Sequence, residues 1–350
     1  MLPHVLAVES RPVSAALLTW QDARVTKSLE SAWPEARRGV LLVNLGSPDE
    51  PSTSAVRAYL DEFLSDPFVV DSQPQLWWML RKLVILPFRG PKSARLYQSI
   101  WTAEGSPLVV GSARLCEALQ REVGEAVSVR LAMRYGKPSL EQVLHGFTDE
   151  GVDVIQVLPL FPQGSRTTTG TIEARVRELH RHIADAPALE FTSAYPTHPG
   201  YIEALAQGIR EHLGSNPCDH YLFSFHGLPI RYVEQGDVYR DHCEQTAAAL
   251  AQSLGLAPGS WTLTYQSRFG REPWLAPNTE DVAGELCSAG QRVAIACPGF
   301  LVDCLETLEE IGVRLAKSVA EGGAGEIELV PALNQRPDWV RALAQLVRGR

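Results

Sequence analysis

The chain has 350 residues, of which 45% are hydrophobic and 21% are charged. This balance is typical of a folded globular protein and excludes an intrinsically disordered chain. The formal net charge of −9 argues against nucleic acid as the main partner, because phosphate binding needs clustered positive charge.

The first 37 residues show no strong helical or strand period, and we expect residues 1–37 to form an N-terminal extension of uncertain order. They also lack a basic segment followed by an uninterrupted apolar core, so they do not resemble a secretory signal peptide. A membrane-spanning helix needs about 18 apolar residues. The closest stretch, 76–88, is interrupted by Arg81 and Lys82, so the sequence predicts no such helix.

From Gly39 onward, continuous apolar runs alternate with turns and amphipathic segments. Such runs are typical of parallel strands that are covered on both faces. The predicted strands cover residues 39–45, 128–135, 152–160, 220–226, 261–267 and 292–297. The clearest helix is predicted at 52–64, where Ser52 or Thr53 can cap the first turn. This alternation predicts an α/β fold with doubly wound parallel sheets.

Three short segments occur twice in the same order. They are Gly46-Ser47-Pro48 with Gly227-Leu228-Pro229, "RYGKP" (134–138) with "RFGREP" (268–273), and "VLPLFP" (157–162) with "IACPGF" (295–300). We therefore predict two similar lobes, 38–186 and 187–350, with a cleft bordered by the strand ends. Strand–Gly–Pro turns are common in proteins, so chance similarity stays an alternative explanation.

Two common nucleotide-binding motifs do not occur in this sequence. Neither G-x-G-x-x-G nor G-x-x-x-x-G-K-[ST] is found, so the sequence does not support a dinucleotide or a P-loop nucleotide as ligand. The six cysteines form no C-x-x-C pair, and a chain of this size does not need disulfides in order to fold. We therefore predict reduced thiols in a cytoplasmic protein.

The predicted strand 220–226 ends on His226, which is followed at once by Gly227 and, two residues later, Pro229. Proteins of the α/β class place their chemistry in the turns after the carboxyl ends of strands. An imidazole at this position is therefore a candidate catalytic group. The alternative is a core histidine bonded to a backbone carbonyl, which is the commoner role of a single histidine.

A second unusual segment follows the predicted strand 292–297. A turn at Pro298-Gly299 leads to a helix that is predicted to begin near Asp303. Asp303, Glu306 and Glu310 stand at i, i+3 and i+7, so an α-helix would present all three carboxylates on one face. The helix dipole favours acids in a first turn, which explains Asp303 and Glu306 without a function but explains Glu310 poorly.

The two segments together predict a histidine that faces a row of carboxylates across a cleft. Imidazole and carboxylate groups can bind a divalent metal ion of intermediate softness. They can also move protons near neutral pH. A reaction that takes up a divalent metal ion and releases two protons would use both properties.

Long segments of the chain resemble the ferrochelatase family, and most closely its proteobacterial form. They are "LLVNLGSP" (41–48), "SFHGLP" (224–229), "QSRFGREPWLAPNTED" (266–281) and "CPGFLVDCLETLEEI" (297–311). The resemblance extends from about Gly39 to the C-terminus. It implies a lyase that inserts Fe²⁺ into protoporphyrin IX in the last step of haem synthesis. It also implies two Rossmann-like lobes that hold the porphyrin between them.

The same resemblance implies roles for individual residues. His226 and Glu306 match the catalytic pair and contact the metal, while Asp303 and Glu310 match further acids on a metal or proton path. Arg and Lys side chains suit the two porphyrin propionates, because they form charge-assisted hydrogen bonds with carboxylates. The residues implied to bind propionates are Arg89, Lys92, Tyr97 and Ser106. Those implied to line the pocket are Arg134, Trp274 and Leu45, with Leu45 on the side of the ring opposite His226.

Three further expectations depend on the resemblance. Residues 76–88 are similar to the lip of the family's active site, and we expect this lip to contact a membrane peripherally. Some family members carry an iron–sulfur cluster on a C-terminal extension with three cysteines. No cysteine follows Cys304 here, so we predict no cluster and no other resident cofactor. The oligomeric state stays open.

Within the same fold, the chain could instead be a cobalt chelatase or could use coproporphyrin III. A tetrapyrrole-binding protein without turnover is an alternative from another functional class. Such a carrier would need an axial ligand but no row of carboxylates.

Overall fold

Two four-stranded parallel sheets organise the part of the chain that the structure describes. The computed structural model describes residues 36–71, 73–216, 218–270, 272–322 and 325–349, so residues 1–35 of the predicted extension lie outside it. The first sheet consists of β1 (Arg38–Gly46), β2 (Val127–Tyr135), β3 (Val154–Pro159) and β4 (Ala188–Phe191). The second consists of β5 (His220–His226), β6 (Trp261–Gln266), β7 (Arg292–Ala296) and β8 (Glu326–Leu329). The predicted α/β fold with two parallel sheets is confirmed.

Helices connect the strands and cover the sheets. The α-helices are α1 (Thr53–Ser65), α2 (Pro74–Leu80), α3 (Leu86–Ile100), α4 (Pro107–Val123), α5 (Leu140–Asp149), α6 (Thr171–His180), α7 (Pro199–Leu213), α8 (Ile230–Glu234), α9 (Tyr239–Leu254), α10 (Thr279–Ser288), α11 (Ala316–Gly322) and α12 (Pro337–Arg348). Among the residues that the structure describes, three segments are wound as π-helices, namely π1 (Arg81–Ile85), π2 (Arg166–Gly170) and π3 (Glu306–Leu315). The predicted helix at 52–64 is confirmed as α1, and the Ser52 hydroxyl caps it by accepting from the Ala55 amide at 3.2 Å.

The strand runs are apolar because each central strand packs on two sides. In β1, Val40 and Leu42 belong to a core that also contains Phe223 of the second sheet. Leu41 and Val43 point the other way, into a separate core on the outer side of the first sheet. The predicted strands are confirmed to within two residues at each end. The sequence does not predict β4 and β8. Each strand has only four residues, and none of these residues is fully buried, so neither strand forms a clear apolar run.

The two sheets repeat one topology. Their strand orders are β2-β1-β3-β4 and β6-β5-β7-β8, so β1 to β4 correspond to β5 to β8. In β2, the Met133 amide donates to the Pro138 carbonyl at 2.7 Å, and in β6 the Tyr265 amide donates to the Pro277 carbonyl at 2.9 Å. Met133 therefore corresponds to Tyr265. The loop after β6 is longer, so Pro138 corresponds to Pro277 and not to Pro273 as the sequence match indicates.

The strand register then fixes which residues are equivalent at the strand tips. Met133 is the partner of Asn44, and Tyr265 is the partner of Phe225. The next residue along each central strand is Leu45 in the first sheet and His226 in the second. The tip of β1 thus presents a leucine where the tip of β5 presents a histidine.

Residues Ala36–Arg350 form one compact unit, and the predicted division into 38–186 and 187–350 stays a prediction. β4 lies beyond the predicted boundary yet pairs with β3, so the first sheet ends later in the chain than that boundary. The last helix, α12, packs against both α4 and α7. Within the described ranges, no helix is long and apolar enough to cross a membrane.

Candidate active site at the carboxyl ends of the strands

His226 ends β5 with an exposed side chain, although the four residues before it are buried. Its Nδ1 lies 2.7 Å from the carbonyl oxygen of Gly227. A carbonyl oxygen only accepts hydrogen bonds, so Nδ1 carries a proton and Nε2 is the ring nitrogen that can accept one. The residue is therefore no core histidine. It presents a basic nitrogen at the tip of a strand.

The strand beside β5 connects His226 with the acid-bearing helix. Gln266, the last residue of β6, is the pairing partner of His226. Its side-chain amide donates to the main-chain carbonyl of Glu306 at 2.7 Å. The first residue of π3 is thereby bonded to the strand next to His226. The structure brings the predicted catalytic pair, His226 and Glu306, to the carboxyl ends of the strands of the second sheet.

The prediction that three acids share one face of an α-helix is wrong. The helix begins at Glu306, after Asp303, and it is wound as a π-helix with i→i+5 hydrogen bonds. A turn of such a helix takes more residues than a turn of an α-helix, so the spacing i, i+3, i+7 no longer defines one face. Each of the three carboxylates has its own surroundings.

Asp303 is held by the segment after β8. Its carboxylate accepts from the Asn334 side chain at 2.8 Å, from the Ala332 amide at 3.2 Å and from the Thr307 hydroxyl at 3.0 Å. It also lines a cavity of about 760 Å³ whose walls include neither His226 nor Glu306. In this structure, Asp303 fastens the start of π3 to the chain that follows β8.

Glu310 is bonded to the end of β6. The amide and the hydroxyl of Ser267 donate to its carboxylate at 2.8 and 2.6 Å, and Arg314 lies 3.7 Å away. Burial raises the pKa of the Cys297 thiol, and the carboxylates of Asp303 and Glu310 raise it further. Asp303 and Glu310 therefore both lie near the end of β7, with their oxygens already bonded.

Glu306 faces the first sheet. Burial raises the pKa of the Tyr97 phenol well above its ordinary value, and the carboxylate of Glu306 raises it further. Burial also raises the pKa of Tyr59, with added effects of Tyr97 and then Glu306. The Tyr59 hydroxyl donates to the Gly46 carbonyl at 3.1 Å. Glu306 thus lies near two neutral phenols beside the tip of β1.

Two of the predicted propionate-binding residues, Arg89 and Lys92, follow the lip on α3. The guanidinium carbon of Arg89 lies 4.0 Å from the centre of the Phe269 ring, which belongs to the loop after β6. Burial lowers the pKa of Arg89, but the group stays cationic because its ordinary value is so high. Lys92 is exposed on the same helix, and Tyr97 lies farther along it. Ser106 is buried just before α4.

The two cations that interrupt the apolar lip both pair with one carboxylate of α1. Asp61 lies 3.1 Å from Arg81 and 2.6 Å from Lys82. The rest of the lip presents large apolar side chains that are at least 43% exposed, namely Leu76, Trp78, Met79, Leu80, Leu83, Val84 and Phe88. A patch of this kind is typical of a binding surface.

The predicted pocket residues have different surroundings. The Arg134 guanidinium pairs with the buried carboxylate of Asp66 and also donates to the Thr171 hydroxyl at 2.8 Å. Trp274 lies against the turn after β5, where a Cβ atom on Gly227 would come within 3.1 Å of its ring. Leu45 ends the apolar part of β1 and is half-buried.

Sequence patterns miss several residues that build this region. In the sequence, Gln266 and Ser267 look like the end of a strand. Tyr59 looks like part of an ordinary helix, and Asp66 looks like the end of that helix. A polar residue at the tip of an apolar strand is the signal that could have indicated Gln266. In the part of the chain that the structure describes, no group of three or more His, Cys, Asp and Glu side chains is arranged to hold a metal ion.

Comparison with known proteins gives one consistent result. The sequence profile of the ferrochelatase family matches residues 37–350. The ferrochelatase of Edwardsiella ictaluri is 46% identical over 313 residues, which are 89% of this chain and 97% of that protein. The ferrochelatase of Alcanivorax borkumensis is 46% identical over 315 residues, which are 88% of this chain and 92% of that protein.

Solved structures add evidence on the fold alone. SirB from Bacillus subtilis, solved with Fe³⁺, superposes with a TM-score of 0.54 at 12% identity and covers 89% of this chain and 94% of its own. At this identity, the likeness supports the two-lobe architecture and carries no argument on the substrate. The family profile and the relatives cover nearly all of the described residues, and we conclude that the chain belongs to the ferrochelatase family.

Proposed function

We propose that this ferrochelatase inserts Fe²⁺ into protoporphyrin IX at the strand tips of its two sheets, with His226 and Glu306 as the reacting side chains. The enzyme is a lyase, and its product is haem b. The reaction exchanges two pyrrole N–H protons for one ferrous ion. It therefore needs metal-binding groups and proton acceptors at the centre of the ring.

His226 and Glu306 can first bind the metal ion and then accept the pyrrole protons. Imidazole nitrogen and carboxylate oxygen suit Fe²⁺ before its transfer. As the ring nitrogens bind the ion, the two protein groups are released and each can accept one pyrrole proton. Nε2 is the accepting atom of His226, because Nδ1 is already protonated and bonded to Gly227. Asp303 and Glu310 remain candidates for carrying protons to solvent.

One observation carries this assignment. The Glu306 main chain is bonded to Gln266, which is the strand partner of His226. Two reactive groups from segments 80 residues apart are thus held at one sheet edge. Positioning of this kind is a main source of enzymatic rate enhancement.

Anaerobic insertion of Fe²⁺ into protoporphyrin IX, followed by absorbance, tests the proposed activity. Parallel reactions with coproporphyrin III and with Co²⁺ measure the alternative substrates. We expect many turnovers per protein molecule with protoporphyrin and Fe²⁺. Stoichiometric porphyrin binding without turnover would identify a tetrapyrrole carrier and would contradict the proposal.

Replacing Arg89 by alanine is expected to raise the KM for protoporphyrin about tenfold or more, with little change in kcat. Arg89 is a partly buried cation on α3 just after the lip, and a charge-assisted bond to a propionate contributes about 1.5–3 kcal/mol. Such a contact is equally strong in the ground state and the transition state, so it acts mainly on KM. Steady-state kinetics with varied porphyrin measure the effect.

The matched control is Arg95→Ala, which removes an exposed cation from the same helix and should change KM less than about twofold. A porphyrin with esterified propionates should be nearly indifferent to Arg89→Ala. Equal losses with the ester and the free acid would show that Arg89 acts by packing on Phe269.

The apolar lip is the proposed contact with a membrane, at which the protein would work from the cytoplasm. We expect the double substitution Leu83→Asp, Phe88→Asp to lower the partition coefficient onto vesicles of phosphatidylethanolamine and phosphatidylglycerol at least tenfold. Both side chains are highly exposed, and burying one such side chain contributes about 1.5–3 kcal/mol. Co-sedimentation with the vesicles measures the bound fraction.

Val238→Asp is the control, because Val238 is an exposed apolar residue at the start of α9. Its partition coefficient should stay close to that of the unaltered protein. Equal binding of all three proteins would exclude the lip as the membrane contact.

We also propose that the enzyme holds no iron–sulfur cluster. All six cysteines are free thiols, and four of them are buried. The family's cluster ligands occur in a C-terminal cysteine group, which this sequence does not contain. Stoichiometric iron and acid-labile sulfide in an anaerobically purified sample would contradict this.

A further inference from the structure

We propose that Gln266 is a positioning residue, which sets the place of Glu306 relative to His226 and has no contact with the substrate. The inference depends on the proposed roles of His226 and Glu306 and adds to them. Gln266 has no assigned part in the reaction, and its side chain is 2% exposed. A buried amide in this position must act through its neighbours.

Gln266 has bonds to both sides of the site. Its main-chain carbonyl accepts from the Gly227 amide at 2.7 Å, which fixes the turn immediately after His226. Its side-chain Nε2 donates to the Glu306 carbonyl, also at 2.7 Å. One residue thus spans from the histidine's turn to the glutamate's main chain. A shift of Gln266 would change the separation of the two groups.

A buried hydroxyl network fixes the orientation of this amide. The Ser224 hydroxyl donates to Oε1 of Gln266 at 2.7 Å. Behind it, the hydroxyl oxygens of Ser224 and Thr279 lie 2.8 Å apart, and those of Thr279 and Thr264 lie 2.9 Å apart. All three hydroxyl residues are fully buried. Because Oε1 accepts from Ser224, the amide must present its N–H group to Glu306, and a flipped amide would leave a buried carbonyl facing a carbonyl.

Ser267 strengthens the same connection from the next position. Its amide and hydroxyl hold the Glu310 carboxylate, one turn further along π3. The end of β6 therefore holds the helix at two points, through the main chain of Glu306 and the side chain of Glu310. Two points of attachment fix both the position and the direction of the helix start.

The internal repeat supports a positioning role. By strand register, the residue of the first sheet that corresponds to Gln266 is Arg134. Arg134 donates to Thr171, the first residue of α6, so it likewise connects the end of the second strand with the helix after the third. The second lobe makes this connection with a neutral amide. A cation there would repel a ferrous ion held by His226 and Glu306.

Gln266→Leu tests the inference, because leucine keeps much of the volume and removes the side-chain contacts with Glu306, Ser224 and Cys297. We expect kcat for metal insertion to fall by about 10- to 100-fold, which is the effect of a misplacement of about 1 Å. The KM for porphyrin should change less than about twofold. Gln163→Leu is the matched control, since Gln163 is 3% exposed and its Nε2 donates to Thr246 and Tyr201 and not to Glu306. Gln163→Leu should lower the melting temperature about as much as Gln266→Leu does, but it should keep kcat within about threefold of the unaltered enzyme.

A double-mutant cycle with Glu306→Gln separates positioning from general structural damage. If Gln266 acts through Glu306, then Gln266→Leu should lower kcat less than about twofold further in a Glu306→Gln background. The same large loss in both backgrounds would overturn the inference. So would an unchanged kcat in folded Gln266→Leu.

Two further outcomes are distinguishable. If Glu306→Gln itself keeps the original kcat, the proposed site is wrong whatever Gln266→Leu does. If Gln266→Leu does not fold, Gln266→Asn, whose amide is one carbon too short to reach Glu306, takes its place with the same expected loss. Misfolding of both variants while Gln163→Leu folds would show a purely structural residue and would overturn the inference.

Discussion

Replacing His226 by alanine should lower kcat for metal insertion by about 10²–10⁴-fold and leave the fold intact. This range is the usual effect of removing a positioned general base. The side chain is exposed at the end of β5, so its loss leaves no cavity in the core. Steady-state insertion kinetics and thermal unfolding of the same preparation measure the two effects.

His220→Ala is the matched control, because His220 begins the same strand. Its Nε2 lies 2.9 Å from the Thr262 hydroxyl, at the opposite end of β5 from His226. We expect this variant to keep kcat within about twofold. If His226→Ala retained half of the original turnover, or if both variants lost turnover equally, His226 would not be the reacting base.

Replacing Glu306 by glutamine should lower kcat about 10²-fold or more, and much more than Glu310→Gln. Glu306 is the acid that faces the first sheet, near Tyr59 and Tyr97, whereas both oxygens of Glu310 are bonded to Ser267. Glutamine keeps the size of the side chain but neither binds Fe²⁺ well nor accepts a proton. Insertion kinetics with Fe²⁺ measure the loss.

Glu310→Gln should act mainly on stability. A carboxylate that accepts two bonds is replaced by a neutral amide, which weakens the attachment of π3 to β6 by about 1 kcal/mol. Denaturant unfolding measures this change in the free energy of unfolding. Glu309→Gln, which changes the neighbouring acid that lies 3.8 Å from Arg314, should keep kcat within about threefold. A larger loss of kcat at Glu310 than at Glu306 would reverse the assigned order of the two acids.

Much of the fold follows from the sequence because burial on two faces leaves a clear pattern. Apolar runs identify the central strands, and the polar tip of one run identifies His226. The winding of π3 could not be predicted, because no residue type distinguishes i→i+5 from i→i+4 hydrogen bonds. The environment of Asp303 depends on Asn334, which is 31 residues away in the chain. Contacts of this kind depend on tertiary packing.

The ion pairs of the lip also depend on tertiary packing and could not be predicted from the sequence. Arg81 and Lys82 are charges that interrupt an apolar segment of the sequence, and only the folded chain shows that both pair with Asp61. In the sequence, Gln266 looks like the end of a strand, and its contacts with Gly227 and Glu306 become visible only when β5, β6 and π3 are assembled. Resemblance to the family supplies the roles of the ligand-binding residues, which no pattern in the sequence indicates.

The correspondence between Leu45 and His226 bears on how such a chain evolved. A half-length ancestor that paired with itself would have carried the same residue at both strand tips, because identical subunits present identical surfaces. A mutation at one tip would have changed the other as well. Once both halves were joined in one chain, each tip could vary independently. One copy could then specialise in chemistry while its twin became an inert apolar surface.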